Sequence, residues 1–136
     1  MASQRPLPGK PPVQIIQVFG LEKDSATRAA QRFFKERRVA VSFVDLRKRP
    51  IAAAELRRFV ERLGARAVLD ETAAAYRDGG LAYLRMDDDE VFDRLLRDGR
   101  LLRLPLVRLG SEVTAGRAEA AWSSWIRAAA GVPDSR

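Results

Sequence analysis

The chain has 136 residues, a length that suits a single domain around one core. It is 46% hydrophobic and 32% charged, as is typical of a folded globular protein rather than a disordered one. It contains no cysteine and no histidine, which excludes disulfides, thiol redox catalysis by this chain and the usual cysteine or histidine metal sites. No apolar run approaches the roughly 20 residues of a membrane span, and residues 1–12 lack the apolar core of a signal peptide. We therefore expect a cytoplasmic protein.

The formal net charge of +7 is concentrated in the first third of the chain. Residues 1–50 carry 11 basic and 4 acidic side chains, whereas residues 51–100 carry 9 and 11. A basic field of this kind can attract nucleic acid or an acidic protein surface. The alternative is a solvated basic face without a ligand. We favour that alternative, because bases alternate with acids and no predicted helix shows an uninterrupted basic stripe.

The first half of the chain predicts a tail followed by a βαβ unit. Residues 1–12 contain four prolines and no periodicity, which indicates a flexible tail. The apolar, β-branched run over 13–19 predicts a strand that is buried on both faces. A helical pattern begins at Asp24, whose carboxylate suits the N-cap position. Residues 39–46, "VAVSFVDL", predict a second strand, which should lie parallel to the first.

The middle of the chain predicts a helical insert over about 51–100. A turn at Arg49 and Pro50 leads into a helix that Gly64 ends. Residues 66–86 indicate short helical pieces, broken at two consecutive glycines. Residues 87–100 predict another helix, with acids in its first turn and arginines in its last turn, as the helix dipole favours.

The last part of the chain predicts a hairpin and a closing helix. Residues 104–116 indicate two strands that turn at Gly110 and Ser111, and an apolar stripe over about 117–129 predicts a helix. Residues 131–136 form a predicted C-terminal tail. The order β-α-β, helical insert, β-β-α predicts an α/β protein with a mixed four-stranded sheet flanked by helices.

Four segments resemble a known family in the order in which they occur. They are a strand that ends in "VFG", then "DLRKRPIAAAEL", "LGARAVLDETAAAYRDGGL" and "DDDEVFDRLLRDGRLLRLPLV". Over roughly residues 13–127 the chain resembles the arsenate reductase ArsC/Spx-like family of thioredoxin-fold proteins. The resemblance implies a thioredoxin-like domain over 13–130 with its helical insert between the two halves of the fold.

The resemblance also places the family's functional positions on this sequence. The reactive cysteine of the family falls on Asp24, in the stretch "FGLEKDSATR". The arginine of the family's Cys-x-x-x-Arg loop is kept as Arg28. The family's cis-proline is kept as Pro105, although Leu104 replaces the arginine before it, with Arg103 next to that position.

Two further arginines of the family have no counterpart in this sequence. They fall near Ala53 and near Ala115, and Arg117 lies two positions after the latter. The resemblance thus implies a member that keeps the proline scaffold, lacks the nucleophile and has lost most of its oxyanion ligands. We identify no catalytic residue. The candidate binding residues are Asp24, Ser25, Arg28, Arg103, Pro105 and Arg117.

Asp24 and Arg28 each allow more than one interpretation. A helix N-terminus that lowers the pKa of a thiol also suits a carboxylate, so Asp24 is foremost a structural cap that fills the anion site. Its alternatives are part of a binding surface and a carboxylate nucleophile, which would need partner groups that we do not find. Arg28 is either a residual anion ligand or, as we prefer, an i, i+4 ion pair with Asp24.

Three functions follow from these observations. The first is a non-catalytic protein-interaction or regulatory module, since the resemblance includes members that act by binding RNA polymerase. The second is an arsenate reductase or glutaredoxin-like oxidoreductase whose thiols all come from a partner. The third is direct nucleic-acid binding by charge, for which the chain has no recognised reader motif. We expect a protein partner rather than nucleic acid or a membrane, and no cofactor or metal.

Overall fold

The computed structural model describes residues 15–129. The tails predicted at 1–12 and 131–136 lie outside these residues. The described residues form four strands and six helices, with short 3-10 turns at Leu81–Tyr83 and Gly99–Leu101. In order, the elements are β1 (Ile16–Gly20), α1 (Ser25–Glu36), β2 (Val41–Asp45), α2 (Ala53–Leu63), α3 (Ala65–Val68), α4 (Ala74–Asp78), α5 (Asp88–Arg97), β3 (Leu106–Leu109), β4 (Glu112–Ala115) and α6 (Glu119–Ala129).

The strands form one mixed sheet in the order β2-β1-β3-β4, which confirms the predicted architecture. β1 pairs with β2 in parallel, because α1 returns the chain to the same end of the sheet before β2 begins. β3 pairs antiparallel with β1 and with β4, and the two residues Gly110 and Ser111 make the hairpin turn. β1 is therefore a central strand, as its continuous apolar run predicted.

α1 and α6 cover one face of the sheet. Strand side chains alternate between faces, and Ile16, Val18 and Val107 point to the same side and pack with aromatic residues from the two helices. Trp122 is fully buried between the sheet and α1, and its indole Nε1 donates a hydrogen bond to Thr114 Oγ1 at 2.9 Å. Trp122 is therefore a core residue of this face.

α2 and the helical insert cover the other face. Phe19 points to this side, and its ring meets Phe59 of α2 edge to face at 5.8 Å between centroids. The insert supplies much of this second core, including Val68, Val91 and Leu95, which are at most 1% exposed. The insert is therefore an integral layer of the fold. No helix among residues 15–129 is long and apolar enough to cross a membrane.

A polar cluster ties α2 to the sheet. Arg108 on β3 donates from Nε to Glu55 Oε2 at 2.7 Å and from Nη2 to Gln17 Oε1. Its third donor, Nη1, bonds to the carbonyl oxygen of Gly110 at 3.0 Å. Gln17 is the register partner of Arg108 across the two strands. Sequence analysis did not identify this cluster, because its members are far apart in the chain and meet only when the sheet forms.

The end of β1 lies in very close contact with α1. A Cβ atom added to Gly20 would lie 2.4 Å from Thr27 Oγ1 and 2.7 Å from Thr27 Cγ2. Thr27 is fully buried, so its side chain has no free space into which it can turn. A glycine is thus required here for steric reasons, and it lets α1 approach the strand.

We predict that Gly20→Ala destabilises the protein. The added methyl group overlaps Thr27, and overpacking of this kind costs about 1–3 kcal/mol. Urea denaturation followed by circular dichroism measures the change in the free energy of unfolding. The matched control is Gly99→Ala, where the nearest atom to the new Cβ is Leu102 Cδ1 at an ordinary 3.9 Å. Equal effects of the two substitutions would contradict the steric argument.

Candidate functional site

The junction between β1 and α1 forms a short turn at one end of the sheet. The Gly20 carbonyl oxygen accepts a hydrogen bond from Leu46 N, just after β2, at 2.9 Å. Pairing between the two segments therefore continues to the last residue of β1. The Asp24 amide then donates to the Leu21 carbonyl oxygen at 3.0 Å, which closes the turn. Asp24 is extended, with φ −76° and ψ 127°, and Ser25 starts the helix. This geometry is that of an N-cap residue.

One carboxylate oxygen of Asp24 accepts two hydrogen bonds from Thr27. Asp24 Oδ2 lies 2.8 Å from the Thr27 amide nitrogen and 2.8 Å from Thr27 Oγ1. The first bond satisfies an amide that the helix leaves free, and the negative charge also interacts favourably with the helix dipole. The predicted capping role of Asp24 is therefore present in the structure. The second bond gives the buried Thr27 hydroxyl an acceptor, a contact that was not predicted from the sequence.

Arg28 does not pair with Asp24. Its Nη1 donates to the Lys23 carbonyl oxygen at 3.3 Å, and no ion pair joins it to the carboxylate one turn away. The ion pair that we preferred from the i, i+4 spacing is therefore wrong. The physical reason is that the Thr27 donors already hold the carboxylate at the helix end, while the exposed Arg28 side chain turns back along the loop.

Pro105 lies at the same end of the sheet. Phe19 pairs with Leu106, so the antiparallel register places Pro105 opposite Gly20, next to the Asp24 turn. The Leu104–Pro105 peptide bond is cis, as the resemblance implied. Pro105 is buried, and its carbonyl oxygen accepts a hydrogen bond from Gly116 N at 2.9 Å. The proline loop thus keeps its scaffold role.

Arg103 is held by the backbone of the insert. Its Nε donates to the Ala67 carbonyl oxygen at 3.1 Å, and its Nη2 donates to that of Leu69 at 3.3 Å. The Arg103 amide adds a bond to the Val68 carbonyl oxygen at 2.8 Å. This arginine therefore fastens the proline loop to α3, and its donors bond backbone carbonyls rather than converging on Asp24.

The remaining positions provide no oxyanion site at this edge. Arg117 donates from Nη2 to Glu119 Oε2 at 2.8 Å and lies beside the groove between α1 and α6. Ala53 begins α2 and Ala115 ends β4, so neither of these family arginine positions carries a positive charge. Ser25 is exposed on the first turn of α1. The structure thus groups Asp24, Ser25 and Arg28 on one turn but leaves no cluster of uncommitted arginines around them.

The arrangement can cap a helix but offers little to a reacting anion. The Asp24 carboxylate already fills the position that a bound anion would take, and it would repel arsenate or phosphate. Metal ligands do not gather here either, since residues 15–129 contain no group of three or more acidic side chains that could hold a metal ion. Sequence reasoning missed Thr27. The Asp-x-x-Thr spacing was its only signal, because a residue three positions after an N-cap faces the cap.

Comparison with known proteins shows the family and the fold of the chain. The family model described as "ArsC family" matches residues 19–125. The YffB protein has a TM-score of 0.75 and 20% identity, and the match covers 80% of this chain and 96% of that one. An ArsC family related protein from Bacteroides fragilis has a TM-score of 0.72 at 17% identity, covering 80% of this chain and 97% of that chain. A search of curated proteins found no match.

An enzyme is also among the similar structures. The arsenate reductase from Vibrio cholerae has a TM-score of 0.72 and 18% identity, with 83% of this chain and 98% of that chain covered. At such low identity the likeness shows the fold alone. The fold is thus the thioredoxin-like one of ArsC proteins, as predicted, and it is combined here with an aspartate at the N-cap of α1.

We predict that removal of the cap destabilises α1. Asp24→Ala loses both bonds to Thr27 and should lower the free energy of unfolding by about 0.5–2 kcal/mol. Asp24→Asn is the matched control, since its amide oxygen can still accept from Thr27 and asparagine is a good N-cap. Urea denaturation of both variants measures the difference. If alanine and asparagine behave alike, the carboxylate bonds do not stabilise the helix.

We further predict that Asp24→Cys creates an acidic thiol. The free amides and the dipole at the start of α1 favour a thiolate, so its pKa should fall below the ordinary value of about 8.5. Ultraviolet absorbance of the thiolate as a function of pH measures this pKa. Ser111→Cys in the exposed hairpin turn is the control and should titrate near the ordinary value. An ordinary pKa at position 24 would show that the anion site is not retained.

Proposed function

Since the chain belongs to the ArsC family and yet contains no cysteine, we propose that it is a non-catalytic protein-binding member of that family. The observation that carries this proposal is the Asp24 carboxylate, which Thr27 holds at the N-terminus of α1 with two hydrogen bonds of 2.8 Å. The chain keeps the scaffold of a reductase and fills its nucleophile position with a fixed, redox-inert group.

The chemistry of the site supports a binding role over reduction. Thiol-dependent reduction requires a thiolate nucleophile, and a carboxylate cannot replace it in a disulfide-forming step. Arg103 and Arg117 are engaged with backbone carbonyls and with Glu119 respectively. They are therefore not poised to stabilise a developing negative charge. What remains is a stable folded surface, which a partner can recognise.

RNA polymerase is the first partner to test, and the proposed location is the cytoplasm. The resemblance to Spx-like proteins suggests both, because some of those proteins act by binding RNA polymerase. The basic excess of the first third of the chain suits an acidic surface on such a partner. An interaction of this type should weaken as salt rises, because added ions screen exposed charges.

A binding measurement with RNA polymerase tests the proposal. The purified chain, labelled with a fluorophore, is titrated with RNA polymerase from the organism that encodes it, at low and at high salt. We expect saturable binding that weakens at high salt. Asp24→Asn is a useful control, because it removes the charge of the cap while it retains an acceptor for Thr27. Absence of binding at every salt concentration would refute RNA polymerase as the partner.

The alternative function is arsenate reduction with thiols from a partner. It is worth testing because one similar structure is named an arsenate reductase, that from Vibrio cholerae. A partner would have to supply every thiol, since this chain has none. We expect no turnover when the purified chain is incubated with arsenate, glutathione and glutaredoxin. Turnover above that of the same mixture without the chain would overturn the non-catalytic proposal.

A further inference from the structure

A basic stripe follows the exposed face of α1. Arg28, Arg32 and Lys35 stand at positions i, i+4 and i+7, so they lie one above another on one side of the helix, and all three are exposed. The expectation that no helix has an uninterrupted basic stripe is therefore wrong for α1. That expectation weighed acids and bases along the chain together, whereas on the helix the three bases are neighbours in one row. Glu36 lies one turn after Arg32, at the C-terminal end of this row.

A groove runs beside the stripe, between α1 and α6. Its volume is about 440 Å³. The small side chains of Ala29 and Ala120 and the ring of Phe33 provide its apolar surface, and Arg32, Arg37 and Arg117 provide positive charge. Arg32 thus belongs to both features. The stripe and the groove together form one surface, which we call the α1 face.

One guanidinium of the α1 face is already fixed in place. Arg37 Cζ lies 3.6 Å above the centre of the Phe33 ring, and Arg37 Nη1 donates to the Phe33 carbonyl oxygen at 3.0 Å. Cation–π stacking and the hydrogen bond hold the plane of the group, while its other N–H donors have no partner among the described residues. Binding of a ligand to this arginine would therefore cost less side-chain entropy than binding to a mobile arginine.

The α1 face is mixed in charge rather than uniformly basic. Glu119 accepts a hydrogen bond from Arg117 at 2.8 Å, and Glu36 lies 3.9 Å from Arg37. Arg32, in contrast, makes no hydrogen bond or ion pair with any residue in the described part of the chain. The surface therefore presents available positive charge between fixed carboxylates, next to a small apolar floor.

We propose that the α1 face binds an acidic helical segment of a protein partner. The inference rests on the proposed protein-binding function and names the surface and the chemistry of its ligand. A row of carboxylates on the segment would face Arg28, Arg32 and Lys35, and its small apolar side chains would enter the groove, as in other helix-in-groove complexes. α1 spans about 18 Å, enough to contact roughly three turns of such a helix.

The observations favour a protein over nucleic acid. Unpaired bases bind by stacking on exposed aromatic rings, but Phe33 is buried beneath Arg37 and Trp122 is fully buried. Glu36 and Glu119 line the groove and would repel a continuous phosphate backbone. A peptide can instead place carboxylates against the arginines and hydroxyl or amide donors against the glutamates.

A peptide titration tests the inference directly. The probe is a fluorescent synthetic helix about as long as α1, with glutamates along one side and alanines and leucines on the other. Fluorescence anisotropy measures its affinity for the full chain. We expect saturable, salt-sensitive binding, and at least a tenfold loss when glutamines replace the glutamates. Tighter binding of duplex or single-stranded DNA than of the acidic peptide would overturn the proposal in favour of nucleic acid.

Matched variants locate the binding surface. Arg28→Gln, Arg32→Gln and Lys35→Gln combined should weaken binding of the acidic peptide about tenfold, since three exposed ion pairs are lost. The control combines Arg77→Gln, Arg85→Gln and Arg97→Gln, which removes the same charge from exposed positions of the insert on the other face of the sheet. We expect the control to bind like the wild-type chain. Equal losses of peptide affinity in both variants would refute the α1 face as the binding surface.

The same variants separate this inference from the proposed function. If RNA polymerase binds the wild-type chain and the α1-face variant equally well, the function stands and the surface is wrong. If the acidic peptide binds at the α1 face but RNA polymerase does not bind, the surface stands and the partner is wrong. Circular dichroism and urea denaturation establish that each variant is folded before its binding is measured.

Discussion

The close contact between Gly20 and Thr27 is the constraint on which the rest of the site depends. Because Gly20 has no side chain, α1 can start close against β1 with Thr27 completely buried. The buried hydroxyl needs a hydrogen-bond acceptor, and Asp24 provides it at 2.8 Å while it also caps the helix. Packing, capping and satisfaction of a buried polar group therefore coincide at one turn.

The same turn shows how a carboxylate is held at a helix N-terminus in this fold. Helix N-termini attract negative charge whether it is a thiolate, a bound anion or a carboxylate. With Asp24 in that position the protein stabilises its own fold with the interaction that a reductase uses to activate a thiol. Arg103 also acts within the fold, since its guanidinium joins the proline loop to the backbone of the insert. Both side chains thus make contacts that hold elements of the fold together.

Under the proposed binding function, the helical surface is where a partner would bind. Both layers of the fold bury apolar side chains against the sheet. α1 and α6 also place arginines beside the groove between them. Part of the charge on the α1 face is fixed by the fold, because Arg37 stacks on Phe33.

Sequence alone determined the element order, the parallel βαβ unit, the hairpin turn and the N-cap at Asp24, because periodicity, glycines and capping chemistry act over a few neighbouring residues. It also located the cis-proline through the family resemblance. Only the tertiary structure decided that Arg28 turns away from Asp24, that Arg108 joins Gln17 and Glu55, and that three basic residues of α1 align beside a groove. Each of these depends on which side chains meet after the sheet and helices pack, and residues distant in the chain carry no local signal of that meeting.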